Sequence, residues 1–239
     1  MADTSNRRPL ASRETSWATG IARRIAATRI TPNQISIAGM VAALIAGLAF
    51  WAAGTFTDRW VFLILGALGC QVRLLCNLFD GMVAIEAGRA APDGGFWNEM
   101  PDRISDMLIL TGVALGLGEP ALGWAAVSFA FLTAYVRELG VTCGAGADFA
   151  GPMAKQHRMA LITLAALVSL TEPLWHDGGI SLAVALWGVA VGAAATALRR
   201  SVRLVIKLRR GGAGLGGAAS KPPLGGAATQ TRDSSSPLQ

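Results

Sequence analysis

The residues with the clearest chemical content lie in the run NLFDGMVAIEAGRAAPDGGFWNEMPDRISD, positions 77–106. Carboxylates, amides and glycines are dense there, and long apolar segments flank the run on both sides. Polar groups in such surroundings are costly to hold in lipid, which marks them as functional. If the preceding apolar segment continues as a helix, Asn77, Asp80, Gly81 and Ala84 fall at i, i+3, i+4 and i+7 and share one face. Gly94, Asn98, Asp102 and Asp106 recur at every fourth residue and line one face of the next helix. Two helices joined by a short turn then aim two sets of oxygens at each other across a cleft floored by glycine. Oxygen donors so spaced suit hard divalent cations, and cations so held suit phosphate.

The elements that position these groups are apolar helices. Hydrophobic residues make up 52% of the 239-residue chain and charged residues 15%. With a mean hydropathy of +0.46, this composition is too apolar for a soluble domain and fits an all-α polytopic membrane protein. Residues 1–15 are polar and expected to be disordered, and 16–28 read as an amphipathic helix along the headgroups, with Trp17, Ile21 and Ile25 on one side. Spans are expected at 35–53, 60–84, 94–118, 121–139, 159–174 and 181–198, about six in all, since about 20 apolar residues cross a hydrocarbon core. Pro101 should bend the third span or free a carbonyl near Asp102. Arg73 interrupts the second span one turn before Asn77; a guanidinium that deep needs an anion, either Asp106 or Glu138 or a substrate phosphate.

Basic residues gather at the N-terminus, at Arg89, at Lys155, His157 and Arg158, and beyond Leu198, which places both ends and the polar turn in the cytoplasm. The net charge of +6 is explained by that bias. No basic face interleaves with aromatics, so nucleic acid is not an expected partner. Cys70, Cys76 and Cys143 lack metal-ligand spacing and read as packed thiols. Residues 211–239, rich in Gly, Ala, Ser and Pro, read as a disordered tail.

The run 77–102 resembles the signature of the CDP-alcohol phosphotransferases, D-x2-D-G-x2-A-R-x8-G-x3-D-x3-D, at unbroken spacing. Asp80, Gly81, Ala84, Gly94 and Asp102 match; Asn77 and Asn98 stand where that family has its first and third aspartates, and Ile85 where it has arginine. Residues 31–36, TPNQIS, are similar to the family's TPNxIT segment, and 151–158 to its GKxKT-like segment. The resemblance covers about 16–206, leaving a basic and then Gly/Ser/Pro-rich tail at 207–239.

It implies a membrane enzyme of phospholipid synthesis, in the inner membrane of a bacterium, that passes the phosphatidyl group of CDP-diacylglycerol to a polar alcohol and releases CMP. Asp102 is implied as general base, and Asn77, Asp80, Asn98 and Asp102 as ligands of Mg2+ or Mn2+. Gly81, Ala84 and Gly94 would admit the nucleotide; Arg73, Arg89, Lys155 and Arg158 are the cations for its phosphates. Asp106 or Glu99 could restore the charge that Asn77 and Asn98 lack. Similar proteins are commonly dimers, so a homodimer is implied. The alternatives are a non-catalytic lipid-nucleotide-binding descendant, an enzyme pairing a soluble CDP-alcohol with a lipid acceptor, and a transporter with intramembrane carboxylates.

Overall fold

The computed structural model describes residues 15–86, 88, 93–175 and 178–218, with only the backbone described at 98 and 211–218. Among the described residues the chain is helical without strands: α1 (Ser16–Ala26), α2 (Pro32–Thr55), α3 (Arg59–Glu86), α4 (Gly94–Leu117), α5 (Pro120–Thr142), α6 (Lys155–Ser169), a 3-10 turn (Glu172–Leu174) and α7 (Ile180–Ala218). Local sequence explains the ends. Thr31 caps α2 with a full capping box, its hydroxyl accepting from Gln34 N and its own N–H donating to the Gln34 side chain, while Pro32 starts the helix without an N–H to waste. Gly118 closes α4 in the left-handed conformation, φ 73°.

Among the described residues three helices, 32–55, 59–86 and 180–210, are long and apolar enough to cross a membrane. Large apolar side chains such as Leu48, Leu68, Trp124, Trp187 and Val191 lie on the bundle's exterior, which suits lipid rather than water. The common core gathers Phe50, Leu63, Ile109, Val113, Met159, Ile162, Leu186 and Val189 from five of the long helices. The helix α6 begins at Lys155, four residues before the expected fifth span, so Lys155 and Arg158 stand on its first turn and not in a loop. The helix α7 runs past Leu198 through the arginine-rich stretch.

Glycine sets how closely α2 and α4 cross. A Cβ on Gly112 would lie 2.1 Å from the Gly47 carbonyl oxygen, and one on Gly54 only 1.7 Å from that of Gly116. Helix backbones meet this closely only where both sides are small. A second, smaller core seats α1 on α3: Ala18 and Ala22 pack with Phe79, Met82 and Val83, and Trp17 meets Phe79 edge to face at 6.3 Å.

Candidate active site

The crossing of α2, α3 and α4 leaves a narrow cavity lined by Ser36, Gly39, Arg73, Cys76, Asn77, Asp80, Pro101, Asp102 and Ser105. Asn77 and Asp80 come from the face of α3 that their spacing predicts, and Asp102 from α4 opposite. Pro101 sits inside α4, where its missing N–H removes the bond residue 101 would make to the Trp97 carbonyl. Asp80 is held from two sides, Oδ2 accepting from Ser36 Oγ at 2.9 Å and Oδ1 from Gly81 N at 2.6 Å.

Asp102 is the most heavily engaged group. Its Oδ1 accepts from Arg73 Nη2 at 2.5 Å and from Asn77 Nδ2 at 2.8 Å; its Oδ2 accepts from Lys155 Nζ. Lys155 also donates to Asn77 Oδ1 at 2.7 Å. Arg73, only 1% exposed, therefore pairs with Asp102 and not with Asp106 or Glu138. Asp106 has turned one helical step away and is paired with Arg158, both of them buried. Glu99 is paired with Arg103 and Arg137. Neither Asp106 nor Glu99 lines the cavity, so the restored charge expected from them is not delivered there.

Of the other expected residues, Gly81 and Ala84 are half-buried on α3 beside the cavity, and Gly94 starts α4 in the open, with nothing within 4 Å of a Cβ placed there. Ile85 is 62% exposed. Arg89 lies outside the described residues. The backbone of Asn98 lies one turn before Asp102 on α4, and its side chain is not among those described. Arg158 is directed to Asp106 and the Met153 carbonyl. Ser36 was not singled out by sequence reasoning, although it falls within the TPNQIS segment whose family likeness could have pointed to it.

Among the described residues no three His, Cys, Asp or Glu side chains gather as a metal cluster. The donors that do meet are Asp80, Asp102 and the Asn77 amide oxygen, all hard oxygens, and they fit one Mg2+- or Mn2+-like ion better than a soft metal. The amide at 77 contributes a lone pair without charge, so such an ion is held less strongly than by carboxylates alone.

Two neighbouring helices, α3 and α4, thus bring Asp80 and Asp102 to one cavity with Arg73 in its wall. No family model matches the chain. It is 28% identical over 153 residues to the archaetidylinositol phosphate synthase of Pyrococcus horikoshii, covering 64% of this chain and 77% of that one. It is 25% identical over 181 residues to the phosphatidylinositol phosphate synthase of Streptomyces avermitilis, covering 72% and 71%. The fold is similar to that of the Mycobacterium tuberculosis phosphatidylinositol phosphate synthase solved with CDP-DAG bound, with a TM-score of 0.66 at 21% identity over 80% of this chain and 94% of that one. The same protein solved with manganese and citrate gives 0.65 at 21% identity over 78% and 88%. These likenesses in sequence and fold agree with the resemblance of residues 77–102 to the CDP-alcohol phosphotransferase signature.

Proposed function

We propose that this protein transfers the phosphatidyl group of CDP-diacylglycerol to the hydroxyl of a small polar alcohol and releases CMP. The observation that carries the reading is the convergence of Asn77, Asp80 and Asp102 on one cavity at unbroken signature spacing. In the transfer, the alcohol oxygen forms a bond to the lipid-side phosphorus, the bond from that phosphorus to the CMP oxygen breaks, and the hydroxyl proton passes to Asp102. Bonds from Arg73 and Asn77 fix the Asp102 carboxylate in place, as a proton acceptor in a buried site requires. Two further guanidinium nitrogens of Arg73, Nε and Nη1, have no partner among the described residues. They are donors for phosphate oxygens and take the part of the arginine that Ile85 replaces.

A divalent cation held by Asp80, Asp102, Asn77 and, from its helix position, Asn98 would neutralise diphosphate charge and ease departure of CMP. Gly81, Ala84 and Gly94 leave the helix backbones open to a nucleotide. The relatives named as inositol phosphate lipid synthases support a phosphorylated polyol as the first acceptor to try. Basic residues along the end of α7 support a cytoplasmic cavity in a six-span bundle, and a homodimer is proposed from the family. The test is purified protein in lipid with CDP-diacylglycerol, Mg2+ or Mn2+ and a panel of alcohols, the product lipid being identified by mass spectrometry. Asp102→Asn should cut CMP release by about a hundredfold or more; full activity in that variant refutes the base assignment. The engagement of both Asp102 oxygens favours a second reading, nucleotide binding without turnover, which predicts CDP-diacylglycerol binding with no CMP released by any alcohol.

A further inference from the structure

From α6, Lys155 reaches Asn77 and Asp102, two residues of the cavity wall that lie far along the chain from it. Its ammonium donates to Asn77 Oδ1 at 2.7 Å and to Asp102 Oδ2, and these are two of the oxygens a divalent ion would need. The bond also settles how Asn77 is turned, since Oδ1 must face the ammonium while Nδ2 faces Asp102. With Arg73 beside it, the charge of the cluster closes: Asp80 and Asp102 are matched by Arg73 and Lys155 without any added ion. An ammonium and a divalent ion cannot use the same lone pairs, and at such range their charges repel.

We infer that Lys155 is a tethered counter-ion: it holds the cation position of the metal-free protein and leaves Asn77 and Asp102 when a divalent ion enters. The freed ammonium then meets a phosphate oxygen of the nucleotide, so metal and phosphate assist each other's binding. Linkage requires the assistance to be equal in both directions. The inference rests on the metal-assisted reading above, but its test needs no turnover.

Mn2+ binding is measured by electron paramagnetic resonance on the full-length purified protein and on Lys155→Met and Lys155→Arg variants, without CDP-diacylglycerol. Lys155→Met should bind Mn2+ about tenfold or more tightly than wild type, because a competing charge is gone, while Lys155→Arg should not gain. In wild type, saturating Mg2+ should speed labelling of Lys155 by an amine-reactive ester, read by mass spectrometry, with Lys207, bonded to the Ala145 carbonyl, as the internal reference. Equal Mn2+ affinity in wild type and Lys155→Met, no Mn2+ binding by Lys155→Met, or Mg2+-independent labelling of Lys155 in wild type each overturns the inference. A protein that passes these tests yet turns over no alcohol leaves the counter-ion in place and removes only the transferase reading.

Discussion

Removing one partner of the Asp106–Arg158 pair should cost far more stability than removing both. Asp106 is 0% and Arg158 2% exposed, so neither charge can be hydrated in place. Guanidinium Nη2 reaches the carboxylate, and Nη1 donates to the Met153 carbonyl at 3.2 Å. Breaking a buried pair by deleting one charge costs about 3–5 kcal/mol, chiefly from stranding the other. For a chain of this size each kcal/mol moves Tm by about 2–4 °C, so Asp106→Leu should lower it by about 6–20 °C. The double variant Asp106→Leu/Arg158→Leu should recover most of that loss, since apolar groups of similar bulk can replace a buried pair at little net cost. Thermal unfolding of all four proteins in one detergent closes the double-mutant cycle. A coupling energy near zero, or a double variant no more stable than Asp106→Leu, refutes the reasoning.

Three further outcomes are expected. Glu172, 0% exposed in the turn between α6 and α7, is pushed towards the neutral form by burial, but hydrogen bonds from Ser169, Ser181 and Gly179 together hold its pKa below the usual range. Its folded-state pKa is depressed, so its contribution to stability is fully present above pH 4.5, the usual glutamate value, and is lost as pH falls through the lower folded value. The Tm gap between wild type and Glu172→Gln should accordingly stay constant from pH 7 to 5 and shrink only in stronger acid; a gap that closes near neutrality contradicts this. Gly112→Val should force α2 and α4 apart, because its Cβ would fall 2.1 Å from the Gly47 carbonyl oxygen; a loss of about 1–3 kcal/mol or more is expected in thermal unfolding. Ser36→Ala removes the 2.9 Å bond to Asp80, worth about 1 kcal/mol. It should weaken Mn2+ binding by a few-fold without changing Tm by more than a few degrees.

Much of this arrangement was legible because helical periodicity is a local property. The face that carries Asn77 and Asp80 and the face that carries Asp102 follow from spacing alone, and α4 starts and ends within a residue of the expected limits. The partner of Arg73 was not legible in the same way. Asp102 and Asp106 share one face, and which of them meets Arg73 depends on how α3 crosses α4. Arg158, arriving from α6, takes Asp106 and leaves Asp102 to Arg73 and Lys155. The clasp of Arg59, Ser169 and Glu172 was equally hidden, because it joins the start of α3 to a turn more than a hundred residues later. Such pairings are chosen by tertiary packing, and no window of sequence contains both halves.

The touching glycines of α2 and α4 confer a mechanical asymmetry. Gly54 and Gly116 abut backbone to backbone about 27 Å along the helix from the Ser36 end, with no side chain between them to yield. Any splaying of the two helices must therefore be largest at the Ser36 end of α2, where Pro101 and Asp102 of α4 line the same cavity, and vanish at the glycines, as the jaws of a clothes peg open about its spring. The cavity end of the α2–α4 pair is thus the end free to widen, and the far end stays shut while it does.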